Sequence, residues 1–313
     1  MKIVLLEGLG VSDAVLERHA QKLAQMGHTF VAYPKDATPA VQAERSRDAD
    51  VIMLANMPLD PSVLDTAKHL KFIDVAFTGV DHIPMDLARA RGIAVSNASG
   101  YATQAVAELC ISFMIHLLRN VSQTEARCRA GGTKDGLVGR LLCGKTVGIV
   151  GAGAIGKRVA ALCKAFGCRV IAYNRSQVTD PVFDAQVTLD ELLTQADIVS
   201  LHCPLTPQTQ GMIGANELGK MKPQALLINT ARGAVVDSAA LAQALQDGTI
   251  AGAACDVFES EPPLPADHPL LHAPNTLLTP HIAFASAESM EQRADIVFDN
   301  LYAWLDGKQI HAV

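Results

Sequence analysis

The sequence predicts an α/β protein made of two doubly wound parallel-sheet domains. Three observations lead there. The chain has 313 residues, more than one compact core usually organises. Its short apolar runs are continuous rather than alternating, the mark of strands covered on both faces. Amphipathic helical stretches separate the runs, and one long helical stretch divides them into two sets, the alternation that yields parallel sheets.

The first set of runs is KIVLL (2–6), TFVAY (29–33), DVIMLA (50–55), LKFIDVAF (70–77) and IAVSN (93–97). Between the first two, SDAVLERHAQKLAQMG has Ser12 placed as a cap and Gly27 as a stop. Asp60-Pro61 opens another helix, with proline at the first helical position. A single helical pattern is expected over 102–130, ending at Gly131-Gly132. The second set is KTVGIVG (145–151), CRVIAY (168–173), ADIVSLHC (196–203), ALLINT (225–230) and AGAACDV (251–257). Thr188 with Glu191 predicts a capping box, and Asp237 caps a helix that Gly248 ends. The last helix, near 284–306, has no strand after it in its own set. It is therefore expected to return to the first domain, giving a discontinuous domain of 1–98 and 285–313 around an inserted domain of 99–284.

Composition narrows the function. Hydrophobic residues make up 49% and charged residues 19%, which argues against disorder. The net charge is -6 and no Lys/Arg run appears, so no nucleic-acid partner is expected. No apolar run reaches membrane-spanning length, and the N-terminal MKIVLLEGLG is too short for a signal sequence. The seven cysteines lack CxxC spacing. They predict small buried hydrophobes in a reducing cytoplasm, with neither a disulfide frame nor a metal site. Cys203 and Cys255 are where a reactive thiol would be sought.

The stretch VGIVGAGAIGKRVAALC carries G-x-G-x-x-G between an apolar strand and a helix. That context predicts a Rossmann dinucleotide site. Gly151 permits the tight turn, Gly153 admits backbone N–H groups to a pyrophosphate, and Gly156 lets the helix pack on the sheet. The helix start at Ala154-Ile155 offers N–H donors to the phosphates. An acid is expected at the end of the next strand to hold a ribose 2′-hydroxyl. The strand ends instead in Asn174-Arg175-Ser176. Arginine with serine suits a 2′-phosphate, so NADP is set ahead of NAD.

Five ordered motifs carry a resemblance over nearly the whole chain: GAGAIG (151–156), LHCPLTPQT (201–209), LINTARGAVVD (227–237), DVFESEPP (256–263) and LTPHIA (278–283). TGVDHIP (78–84) and the segment from Thr103 to Glu108 match as well. The chain resembles the D-isomer-specific 2-hydroxyacid dehydrogenases, and among them the glyoxylate and hydroxypyruvate reductases. The resemblance implies a Rossmann domain inserted into a flavodoxin-like substrate domain, and a homodimer. It implies Arg232, Glu261 and His281 as the catalytic trio. Arg232 would hold a 2-oxo acid's carboxylate in its planar fork. His281 would protonate the carbonyl oxygen. Glu261 would accept the other ring N–H and favour the imidazolium. The resemblance also implies cofactor contacts from Thr103, Ala154, Ile155, Cys203, Pro204, Thr209, Thr230, Ala231 and Asp256, and substrate contacts from Gly79, Val80 and Tyr101.

The expected activity is reduction of a small 2-oxo acid, such as glyoxylate or hydroxypyruvate, to the D-2-hydroxy acid. Two alternatives compete. Phosphoglycerate oxidation would want basic groups near the substrate, and residues 78–84 supply only His82. No regulatory domain follows Val313, which lowers that expectation. A dinucleotide-sensing corepressor would carry disordered tails, and the sequence offers none. The segment RAGGTKDGLVGRL lacks the tryptophan that the family often has there, which bears on dimer contacts and substrate shaping.

Overall fold

The computed structural model describes residues 1–260 and 262–313. Glu261 lies outside the described residues. The chain divides into two compact units, Met1–Ala102 with Ala285–Val313, and Thr103–Phe284. The first division falls at Ala102 and not at residue 98, because the intervening segment is tied to the first unit. Ala98 N–H donates to the Phe77 carbonyl, and buried Tyr101 sets its ring 6.2 Å from that of Phe77.

In the first unit β1 (Lys2–Leu5), β2 (Thr29–Ala32), β3 (Val51–Leu54), β4 (Phe72–Val75) and β5 (Ala94–Asn97) alternate with α1 (Asp13–Gln25), α2 (Pro39–Ser46), α3 (Pro61–Thr66) and α4 (Met85–Ala90). The sheet order is β2-β1-β3-β4-β5, all parallel. The helix returning from the end of the chain, Ala287–Leu305, packs on β4 and β5. The last residues then run back along β5: Ser96 and Ala312 form an antiparallel bridge, and Val313 N–H donates to the Val95 carbonyl. Nothing in the apolar patterning announced this strip, since hydrogen bonds, from the backbone and from polar side chains, hold it. It covers the open edge of the sheet.

The second unit opens with α5 (Thr103–Leu118) and α6 (Val121–Arg129). The single helix expected over 102–130 is broken, with a bend of 62° between its halves. Asn120 takes a left-handed φ of 52° there, a conformation asparagine tolerates and a helix interior does not. No single helix is long and apolar enough to cross a membrane. Then follow β6 (Thr146–Val150), α7 (Ala154–Ala165), β7 (Arg169–Tyr173), β8 (Ala185–Gln186), α8 (Leu189–Gln195), β9 (Ile198–Leu201), α9 (Ala215–Lys220), β10 (Leu226–Asn229), α10 (Ser238–Gln246), β11 (Gly252–Cys255) and β12 (Thr276–Leu278). The returning helix is α11. The parallel sheet order is β12-β11-β10-β9-β6-β7-β8. Strands β9, β10 and β11 are buried along their length, as continuous apolar runs require. The edge strands β8 and β12 have two and three residues, too few to show a pattern in sequence.

Local chemistry fixes the helix ends. Thr188 and Glu191 form the capping box, and the Asp237 carboxylate accepts the Ala240 N–H. Ser12 stands at the N-cap of α1 but makes no side-chain capping bond. All seven cysteines are free; Cys110, Cys163, Cys168, Cys203 and Cys255 are buried, whereas Cys128 and Cys143 are exposed, because one lies on the exposed helix α6 and the other in the loop before β6.

Candidate active site

In the second unit the sequence motifs gather at the carboxyl ends of β6, β7, β9, β10, β11 and β12. The order reverses between β6 and β9, and open parallel sheets bind ligands at such a switch point. After β6 the chain turns at Gly151 with φ 99°. A Cβ there would stand 2.7 Å from the His202 carbonyl carbon, and one on Gly156 would stand 2.1 Å from the Gly151 carbonyl oxygen. Both glycines therefore serve close approach of backbone to backbone. A Cβ on Gly153 would meet nothing within 4 Å. Gly153 is the N-cap of α7 and brings no side chain to cap it, so first-turn N–H donors remain for a phosphate. A dinucleotide fits such a loop.

The strand end at Asn174 is organised from within. Asn174 Oδ1 accepts the Ala152 N–H at 3.2 Å, and its Nδ2 donates to Ser176 O and Oγ. Gln186 ties the same turn by donating to the Asn174 and Ser176 carbonyls. Arg175 is exposed, and among the described residues it has no hydrogen-bond or ion-pair partner. The next acid, Asp180, is paired with Lys157 at 3.2 Å. The loop after β9 is braced by Thr209, whose Oγ1 donates to the Pro204 carbonyl at 2.6 Å. Burial pushes the Cys203 thiol to about 11 and the Cys255 thiol to about 12. Neither is a nucleophile near neutral pH.

Arg232 stands three residues past the end of β10, half-buried. Its backbone is set by Asn229, a residue the sequence reasoning did not single out. Asn229 Oδ1 accepts the Ala231 N–H at 3.1 Å and its Nδ2 donates to the Arg232 carbonyl at 3.0 Å. Buried Thr230 faces Cys110, Oγ1 to Sγ 3.1 Å. A polar residue at the last position of an apolar strand was the available signal for Asn229.

His281 takes a left-handed φ of 55°, unusual for a residue with a Cβ. The reason lies at Asp256, just past β11. His281 N–H donates to the Asp256 carbonyl at 2.7 Å. The Asp256 carboxylate accepts the N–H groups of Ile282 and Ala283, each at 2.8 Å, and the Thr279 hydroxyl at 2.5 Å. Successive N–H groups around a left-handed residue form a nest for an anion, and here the anion is the protein's own. Burial pushes the Asp256 carboxyl up, and these bonds pull the other way. The resemblance assigns Asp256 to the cofactor. In the structure its carboxylate is 0% exposed and holds the His281 turn. The His281 ring meets Phe284 edge to face, 5.3 Å between centroids. The expected partner Glu261 falls outside the described residues, in the proline-rich loop after Asp256. Thr103 is the first residue of α5.

In the first unit the expected substrate residues lie past β4 and β5, at the carboxyl edge of that sheet. Gly79 and Val80 are half-buried in the loop after β4, and Tyr101 is buried after β5. Among the described residues no three histidine, cysteine or acidic side chains come together to hold a metal.

A glycine-loop Rossmann sheet, with an arginine past β10 and a histidine past β12 on either side of β11, defines a nicotinamide-dinucleotide-dependent oxidoreductase. Residues 111–283 match the model of the D-isomer specific 2-hydroxyacid dehydrogenase, NAD binding domain. The chain is 40% identical to a glycerate dehydrogenase of Methylorubrum extorquens over 91% of its length and 92% of that protein. It is 39% identical to a glyoxylate reductase of Thermococcus litoralis, over 88% and 86%. An acyclic imino acid reductase solved in complex with NADPH and D-Arg superposes with a TM-score of 0.92 at 27% identity, covering both chains fully. The chain belongs to the D-isomer specific 2-hydroxyacid dehydrogenase family.

Proposed function

We propose that this enzyme reduces a small 2-oxo acid of the glyoxylate or hydroxypyruvate type to its D-2-hydroxy acid, with Arg232, Glu261 and His281 as the reacting set. The observation that carries the reading is the placement of Arg232 and His281 past β10 and β12, at the same edge of one sheet on either side of β11, each on a turn fixed by a buried side chain. A nicotinamide dinucleotide, when bound, supplies the hydride. The chain supplies the rest. The Arg232 guanidinium has the fork geometry to take the acid's carboxylate through two parallel hydrogen bonds. The His281 imidazolium gives its proton to the oxygen of the carbonyl being reduced. Glu261 would accept the other ring N–H and fix the tautomer. Gly79 and Val80 would add backbone donors for the carboxylate.

Gly151, Gly153 and the start of α7 would hold the pyrophosphate. Arg175, without a hydrogen-bond or ion-pair partner among the described residues, with Ser176 beside it, supports NADPH ahead of NADH. A 3-phosphoglycerate substrate is disfavoured, because the loop 78–84 carries Asp81 beside its single basic residue, His82. We also assign a homodimer. Val138 and Leu141 expose 80% and 69% of their surface, large apolar groups that a second copy would cover. The free cysteines accord with a reducing compartment such as the cytoplasm. Turnover of glyoxylate, hydroxypyruvate, pyruvate and phosphohydroxypyruvate with each cofactor tests the proposal. Preference for one of the first two with NADPH supports it; a preference for phosphohydroxypyruvate overturns it.

A further inference from the structure

Strand β4 carries an acid inside its apolar run. Asp74 is 0% exposed in the sheet of the first unit. Its Oδ1 accepts from Asn300 Nδ2 at 3.0 Å, and its Oδ2 has no hydrogen-bond partner among the described residues. Burial pushes this carboxyl well above the usual carboxylate range. Asn300, on α11, is itself 1% exposed. Its second N–H donates to the Asn97 carbonyl at 3.0 Å, and its Oδ1 faces His311 Nδ1 at 2.8 Å. Three partners leave this carboxamide a single orientation.

Asn97, the last residue of β5, continues the chain of contacts. Its Nδ2 donates to the Thr78 carbonyl at 2.7 Å, and its Oδ1 accepts the Ser99 N–H at 3.2 Å. One side chain thus grips the residue immediately before Gly79 and the segment that leads to Tyr101. A sheet held together by apolar packing needs no buried acid and two buried carboxamides, and groups of this kind cost stability unless every bond is made. Their placement follows the loop, not the core.

We infer that Asp74, Asn300 and Asn97 form a positioning relay that fixes the Thr78–Val80 loop and the entry to Tyr101 for the carboxylate of the substrate. The inference rests on the reading of Gly79 and Val80 as substrate contacts. The relay reaches α11 and the terminal strip, so the end of the chain supports a loop more than two hundred residues earlier in sequence. None of the three side chains touches the reacting atoms.

The test is steady-state kinetics with glyoxylate and NADPH, alongside thermal melting, on five proteins. Asn97→Asp keeps the acceptor for Ser99 and replaces the donor to Thr78 with a second oxygen that repels that carbonyl. Asn300→Leu keeps the volume and removes both donors. Val80→Pro removes a loop N–H and tests the underlying reading. Ser96→Ala deletes a bond to the Ile310 carbonyl in the same terminal strip without touching Asn97. The wild type completes the set. A small misplacement of a binding group costs up to about a hundredfold, so Asn97→Asp and Asn300→Leu should raise the glyoxylate KM by roughly 10–100-fold. The NADPH KM should stay within about twofold, since the dinucleotide loop belongs to the other unit. Ser96→Ala should lower the melting temperature without moving either KM. If Val80→Pro raises the glyoxylate KM while both asparagine variants stay at the wild-type value, the relay is overturned and the substrate reading stands. If Val80→Pro changes nothing, both fall. If the asparagine variants lower the melting temperature and move both KM values together, the role is structural and the proposal fails. Should Asn300→Leu not fold, Asn97→Asp decides alone.

Discussion

Gly233 lies against the backbone of Phe258: a Cβ built on it would stand 1.8 Å from the Phe258 carbonyl carbon and 2.0 Å from its oxygen. This approach brings the Arg232 turn against the loop that leads to Glu261. The glycine of the NTARG stretch is there for lack of a side chain, since its φ need not be positive. Gly233→Ala must push the two turns apart. Overpacking of this kind costs about 1–3 kcal/mol, and here the displacement falls on the candidate catalytic residues. The expected result is a melting temperature lower by several degrees and a kcat reduced by at least about tenfold. A Gly233→Ala enzyme with wild-type kcat would show that the two turns tolerate separation.

His281→Asn should abolish most of the reduction while leaving cofactor binding intact. Loss of a general acid costs about 10²–10⁴-fold in rate. Asparagine is also at ease in the left-handed region that His281 occupies, so the turn held by Asp256 should survive the change. The measurement is kcat for glyoxylate together with the Kd for NADPH by fluorescence titration. Retained kcat would remove His281 from the proton transfer.

Arg175→Ala should lower the preference for NADPH over NADH. A charge-assisted hydrogen bond contributes about 1.5–3 kcal/mol, roughly ten- to a hundredfold in affinity. Exposure and salt push the effect toward the smaller figure. An acid at position 174 is a poorer probe. Its second oxygen would replace Nδ2 against the Ser176 carbonyl and hydroxyl, 3.1 and 3.0 Å away, and disturb the turn for both cofactors. The ratio of kcat/KM values for the two cofactors, at one ionic strength, decides the matter. An unchanged ratio would leave Arg175 without a role.

His202 should make the protein acid-sensitive. Its ring contacts Ser200 Oγ at 2.8 Å, and burial pushes its pKa down to about 3 from an ordinary value near 6.5. The folded state therefore refuses a proton that the unfolded chain accepts between those values. Stability is complete above about pH 6.5 and falls as pH drops toward 3, by at most about 1.4 kcal/mol per pH unit for one group. His202→Gln should flatten that part of the melting-temperature profile between pH 7 and 4.5. An identical profile would assign the acid loss to other groups.

The sequence by itself determined the strands, the glycine loop and the order of the site motifs. Those signals are local: KTVGIVG runs into GAGAIG within a few residues, and Arg232 and His281 follow apolar runs directly. It also fixed the caps at Thr188 and Asp237, where the bond spans three residues. Only the tertiary structure decided what holds the site in place. Asp256 reaches Ile282 and Ala283 across 26 and 27 residues, and Asn300 reaches Asp74 across 226. The long helix expected at 102–130 broke at Asn120 because one left-handed residue outweighs the propensity of its neighbours. The terminal strip on β5 has no apolar pattern, since its contacts are hydrogen bonds from the backbone and from Ser96, Gln309 and His311, and such bonds leave no periodic signature. Periodicity records which face a residue buries. It does not record which distant backbone a buried asparagine or aspartate will hold, because that partner exists only once the sheets have formed.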